Sequence, residues 1–214
     1  MTPSLAKAGT DTRTRAVLRQ IAGWCLQYPD HSVLAKLGLL QAALHELGPA
    51  APGHAELTRT LRYLRDGEPG PLAERYVEVF DRRPRRTLHL SWFLDGDTRR
   101  RGGSLAGLRS FYREHGFAPA ENELPDYLPV VLEFAAAAGP AAADAVLVRF
   151  QAGLDLLHRN LDGTPYQDAV AAVLATMPPS TPDTERLAAA ILGNGPPTEL
   201  VGLDPFPTGA GGRP

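Results

Sequence analysis

The sequence has a single cysteine, Cys25, among 214 residues, so no intramolecular disulfide can form and no thiolate cluster can hold zinc or an iron–sulfur centre. No apolar run reaches the roughly 18 residues of a membrane-spanning helix, and the N-terminal MTPSLAKAGTDTRTRAV lacks the apolar core of a signal peptide. A reducing cytoplasm, without stable membrane insertion, is therefore the expected setting. A large excess of charge of one sign is also missing. The formal net charge of -2, with 21% charged residues, excludes a strongly basic nucleic-acid binder and a highly charged disordered chain, so no nucleic-acid partner is expected. Lysine occurs only as Lys7 and Lys36, the other basic residues being arginine, and no mechanism follows from that bias alone.

Catalytic chemistry is absent from the motifs too. The six histidines (31, 45, 54, 89, 115 and 158) fall on different segments, none in the spacing of a metalloprotease helix, and no metal or other cofactor is expected. GDTRRRGGS (96–104) is glycine-rich and basic but lacks the GxxxxGK[ST] pattern of a phosphate loop. Cys25, next to Trp24 on an apolar face, is expected to be a packed core residue. The chain is not expected to be an enzyme.

What remains is helical periodicity. Val17, Leu18, Ile21, Cys25 and Leu26 form one apolar stripe, and 31–47, 55–66, 71–80, 98–116, 141–161, 164–177 and 183–193 each repeat the i, i+3, i+4 pattern. Thr164 is placed to cap the helix over 164–177, with Pro165 at its first position. Residues 81–97 show no clear period and are read as a loop with short helical turns. With no alternation of strands and helices, the expectation is a single globular all-α domain of about nine or ten helices over 11–194, followed by a flexible Pro/Gly-rich tail over 195–214.

ENELPDYLPVVLEFAA (121–136) places two prolines in an amphipathic helix. The first N–H groups of a helix have no partner inside it, so a proline there costs little. With Asp126 as N-cap, Pro129 becomes the third helical residue and Pro125 stays outside. Asp126 and Glu133, seven residues apart, would then share one face, with Glu123 near its entrance. Arg82, Arg83, Arg85, Arg86, Arg99, Arg100 and Arg101 flank the apolar LHLSWFL (88–94), where they could pair with carboxylates of the protein or bind an anion.

ELPDYLPVVLEF (123–134), RYVEVFDR (75–82) and GDTRRRG (96–102), with the weaker WCLQYPD (24–30) and TPYQDAVAAVL (164–174), resemble in content and order the signatures of the nitrate reductase molybdenum cofactor assembly chaperones, the NarJ family of TorD-like chaperones. Tyr127 stands where that family usually has His, and Asp95 where a His commonly precedes the Gly. The resemblance implies a TorD-like helical fold and a chaperone for the apo catalytic (alpha) subunit of a respiratory nitrate reductase. The chaperone would bind the N-terminal segment of that subunit, keep it competent for cofactor insertion, delay its membrane docking, and not belong to the finished enzyme. A chaperone of the same fold for another molybdoenzyme, or a helical carrier of an anion or cofactor, are the alternatives. A basic amphipathic partner helix needs an apolar groove with acids on its rim. Tyr76, Phe80, Trp92, Leu124, Tyr127 and Leu128 are expected to line it, Asp126 and Glu133 to pair with the cations of the partner, and Arg99 and Arg101 to brace the site by binding neighbouring acids.

Overall fold

A computed structural model of the chain describes residues 5–197, with side chains from residue 11 onward. Twelve α-helices occur among them: α1 (Leu5–Cys25), α2 (His31–Leu34), α3 (Leu37–Leu47), α4 (His54–Asp66), α5 (Pro69–Tyr76), α6 (Ser91–Asp95), α7 (Arg99–Glu114), α8 (Leu128–Ala137), α9 (Pro140–Arg149), α10 (Gln151–Asn160), α11 (Gln167–Ala175) and α12 (Pro182–Asn194). A π-helical turn, Val77–Asp81, continues α5, and a 3-10 turn, Pro84–Arg86, follows it. The fold is all-α, as the periodicity predicts. Most of the expected 195–214 tail, residues 198–214, lies outside the described residues.

The count exceeds nine or ten because periodicity cannot see a short backbone break. The 31–47 segment divides at Ala35 and Lys36, where Asp30 caps α2 through Val33 N–H at 2.9 Å and the Lys36 ammonium sits 4.3 Å over the Trp24 ring. The 141–161 segment divides at Phe150, whose backbone (φ -102°, ψ 6°) leaves the helical region while its ring stays buried. Val33 and Leu37, and Val146, Phe150 and Leu154, are buried on either side of the breaks, so the apolar spacing runs on through them. The third addition is α6, within the stretch read as irregular. Thr164 does not cap α11: its hydroxyl donates to Leu161 O at 2.7 Å, and the helix starts at Gln167.

The core is built around α8, whose residues LPVVLEFAAA are nearly all apolar, and Leu128, Val131, Leu132 and Phe134 are fully buried. A helix apolar on most sides has to be enclosed, and α1 lies along one side of α8 with α9 against another. Gly23 permits the close approach of α1, since a Cβ there would lie 3.4 Å from Leu132 Cβ. The apolar stripe of α1 is completed by Leu18, Ile21, Ala22 and Cys25, and burial pushes the Cys25 thiol up to about 12. It packs as a small hydrophobe.

One buried cation ties three helices together. Arg19 on α1 donates to Asp144 Oδ1 on α9 at 2.7 Å, and to the Thr176 hydroxyl and carbonyl after α11 at 3.1 and 3.0 Å. A buried charge is tolerated only when paired and hydrogen-bonded, and Arg19 meets both conditions. None of the described helices is long and apolar enough to cross a membrane.

Candidate functional site

The entrance to α8 is fixed by backbone before any side chain acts. Residues 88–90 pair in antiparallel fashion with 126–128: Leu90 N–H donates to Asp126 O at 3.0 Å and Leu128 N–H to Leu88 O at 2.8 Å. The first N–H of the helix is thus satisfied by another segment, and Pro129 follows at the second helical position, where no N–H is needed. Tyr112 donates its hydroxyl to Pro125 O at 2.9 Å, holding the approach. The N-cap residue is Tyr127, which makes no side-chain capping bond.

Asp126 therefore has a different role from the one its position suggests. It is fully buried, and its carboxylate accepts from the Ser91 hydroxyl at 2.5 Å and the Ser91 N–H at 3.2 Å, with His89 Nδ1 at 3.2 Å and Arg101 Nη2 at 3.5 Å. Burial acts to raise its pKa, but the hydrogen bonds from His89 and Ser91 and the charges of His89 and Arg101 outweigh that and hold it below the ordinary carboxylate value. It neither caps α8 nor stands on a rim. It fastens α6 and α7 to the start of α8.

Beside this entrance, α1 and α8 enclose a groove of about 400 Å³. Trp24, Gln27 and Tyr28 from α1 and its exit form one wall, Tyr127, Pro129 and Val130 the other, and Asp30, Glu123 and Glu133 the acidic groups. Among the described residues, no lysine or arginine lines it. Tyr28 is 47% exposed and packs edge-on against Tyr76 at 5.4 Å between centroids. Tyr76 donates its single hydroxyl proton to Leu26 O at 3.0 Å, which leaves Tyr127 as donor in the 3.2 Å contact between the two hydroxyls. Burial, and next the charge of Glu123, raise the pKa of Glu133. A cation placed between Glu123 and Glu133 would relieve that repulsion.

The structure separates the residues expected in one groove into three places. Tyr127 and Glu133 line the groove, and Leu124, 39% exposed, lies next to Glu123 at its edge. Tyr76, Phe80 and Leu128 are at most 6% exposed and belong to the core, where Tyr76 and Phe80 pack with Tyr166. Trp92 lines a second, larger cleft dominated by arginines. Arg101 meets the Asp126 carboxylate at 3.5 Å, and Arg99 lies in the first turn of α7. Trp24, Gln27, Tyr28 and Asp30 join the groove although no local motif marks them as a site. Their signal was present in WCLQYPD, which the fold brings against ELPDYLP across about a hundred residues of chain. No group of three or more potential metal ligands occurs among the described residues.

Residues 45–161, more than half of the chain, match the family described as nitrate reductase delta subunit. The chain belongs to that family. The matched range includes the α8 wall of the groove and most of the arginine cleft, whereas the α1 wall precedes it. The chain is similar to the nitrate reductase-like protein NarX of Mycobacterium tuberculosis, 40% identical over 162 residues that make up 75% of this chain and 24% of NarX. It thus spans about a quarter of that relative's length. It is also 31% identical over 169 residues to the Bacillus subtilis protein named "Probable nitrate reductase molybdenum cofactor assembly chaperone NarJ", covering 78% of this chain and 91% of that one. With the Escherichia coli nitrate reductase molybdenum cofactor assembly chaperone NarJ it shares 34% identity over 113 residues, 52% of this chain and 48% of the relative.

Proposed function

We propose that this delta-family chain is an assembly chaperone for a respiratory nitrate reductase, acting in the cytoplasm rather than as a catalyst. Its partner is the apo catalytic alpha subunit, whose N-terminal segment docks as a basic amphipathic helix in the groove between α1 and α8. The chain then keeps that subunit open for molybdenum cofactor insertion and delays its docking at the membrane. The chaperone names of the NarJ relatives support the general role. The groove supports the specific one: among the described residues, three carboxylates, three aromatic side chains and no cation line it.

The physics of such a contact is a division of labour. The apolar face of the partner helix removes Trp24, Tyr28 and Tyr127 from water, at about 25 cal/mol for each Å² buried. Lys or Arg side chains at its edge meet Asp30, Glu123 and Glu133, contributing about 0.2–1 kcal/mol each at such exposed positions and setting orientation and association rate. The Asp30 carboxyl is held below its ordinary value by the Ser32 hydroxyl and Val33 N–H, so it remains an anion when the partner arrives.

Calorimetry with a synthetic peptide from the N-terminus of the nitrate reductase alpha subunit of the same organism tests the reading. Saturable binding that weakens with added salt and is lost on Tyr28→Ala is expected. Absence of heat at high micromolar peptide, or affinity unaffected by Tyr28→Ala, would count against the groove.

A further inference from the structure

The larger cleft, about 960 Å³, shares no lining residue with the peptide groove and has the opposite charge. Arg75, Arg82, Arg83, Arg85 and Arg86 line it, with Glu78 as the only carboxylate among the described residues and Trp92 as an aromatic wall. Glu78 is engaged by Arg75 at 3.1 Å. Among the described residues, the guanidinium groups of Arg82, Arg83 and Arg85 have no hydrogen-bond or ion-pair partner, and all three side chains are exposed.

The loop that carries these arginines is pinned rather than loose. Arg86 N–H donates to Arg83 O at 2.8 Å, Arg86 Nε to Asn160 O at 2.6 Å, and Asn160 Nδ2 returns a bond to Arg85 O at 2.7 Å. Pro84 restricts the loop further, with Arg83 extended before it (φ -132°, ψ 99°). Burial and the charges of Arg83 and Arg75 depress the pKa of Arg86, the direction expected where like charges are held together. A fold gains nothing in stability from a pinned backbone that brings several unpaired cations side by side. Such an arrangement is preorganised for a compact polyanion, because the planar fork of arginine matches phosphoryl oxygens in pairs.

We propose that the arginine cleft is a binding site for a small molecule bearing a diphosphate group, with its remaining portion lying against Trp92. This site is independent of the peptide groove: a basic peptide is repelled here, and an anion is repelled by Asp30, Glu123 and Glu133 there. RYVEVFDR thereby acquires a role, since Arg75, Glu78 and Arg82 all face this cleft.

Titration of the full chain with inorganic pyrophosphate, followed by calorimetry and thermal unfolding, tests the proposal. Saturable binding that raises Tm is expected, with at least tenfold loss of affinity in Arg82→Ala/Arg83→Ala, whose Tm without ligand is unchanged or higher because repulsion is relieved. The same double variant retains the affinity of the peptide. ADP in a Trp24→Phe background should change Trp92 fluorescence, which pyrophosphate alone, lacking a ring, should change less. The proposal fails if 5 mM pyrophosphate neither binds nor protects, if sulfate at equal ionic strength competes as well as pyrophosphate, or if the double variant binds pyrophosphate undiminished. Binding of an acidic peptide that pyrophosphate does not displace would likewise overturn it, assigning the cleft to a protein partner.

Discussion

Replacing Asp126 by Asn separates a buried fastening from a binding group. The carboxylate is fully buried and meets the Ser91 hydroxyl at 2.5 Å, the Ser91 N–H at 3.2 Å, His89 at 3.2 Å and Arg101 at 3.5 Å. Asn keeps one acceptor oxygen for Ser91 but loses the charge that Arg101 faces and turns an N–H₂ towards the other donors. The loss is about 2–3 kcal/mol, roughly one charge-assisted hydrogen bond plus part of the ion pair, against about 3–5 kcal/mol for complete removal of the partner. At about 2–4 °C for each kcal/mol in a chain of this size, Tm should fall by roughly 4–12 °C at pH 7. The pH dependence follows from the direction of the shift. The folded pKa of Asp126 lies below its unfolded value, so its contribution is complete above the unfolded pKa of about 3.9 and is lost as pH falls through the folded one. Urea unfolding at pH 7 and at progressively lower pH should therefore show the wild-type advantage shrinking in acid. Peptide affinity of the folded variant should stay within about twofold, since the site of Asp126 does not open into the groove. Equal stability at pH 7, a difference that grows in acid, or a folded variant unable to bind peptide would refute the assignment.

Glu133→Gln should act in the opposite sense. Its folded pKa is raised by burial and by Glu123, so the native state holds the proton more tightly and stability declines as pH rises from the ordinary value of about 4.3 through the raised one. The Gln variant should lose that decline in urea titrations, be no less stable at pH 7, and bind the basic peptide about two- to fivefold more weakly with a shallower salt dependence by calorimetry. Gly96→Ala should lower Tm, with a cost of about 1–3 kcal/mol: φ is +60° there, and a Cβ would stand 1.6 Å from Pro197 O, so both the backbone and the segment lying on it must shift. An unchanged Tm would mean that this contact is not held in solution.

The legibility of the site differs sharply from residue to residue. Pro129 sits in the first turn, where no N–H is missed, as its own segment predicts, but one position earlier than an Asp126 cap implies, because Tyr127 is the N-cap and Leu128 N–H is satisfied by Leu88 O. Asp126 fits every local rule for a cap, and nothing in its own segment announces Ser91, His89 and Arg101, which lie 25 or more residues away in the chain. Glu133 is legible for the converse reason: it is the one charged residue in LPVVLEFAAA, so the helix has to turn it to the surface. Phe80 and Tyr76 show the limit of composition, since an aromatic side chain suits a groove and a core equally well, and here the core claimed both.

The all-helical character, the inert packing of Cys25 and the resemblance of five stretches to one family were determined by the sequence, because each depends on residues close together along the chain. Tertiary structure decided the rest. It set WCLQYPD against ELPDYLP to make an acidic groove, drew Asp126 inward, and moved Trp92 to a separate cleft with the unpaired arginines. The reason is physical: a helical period specifies which face is apolar, but whether a polar side chain on a loop is solvated, buried or placed beside its like depends on which distant segment packs over it.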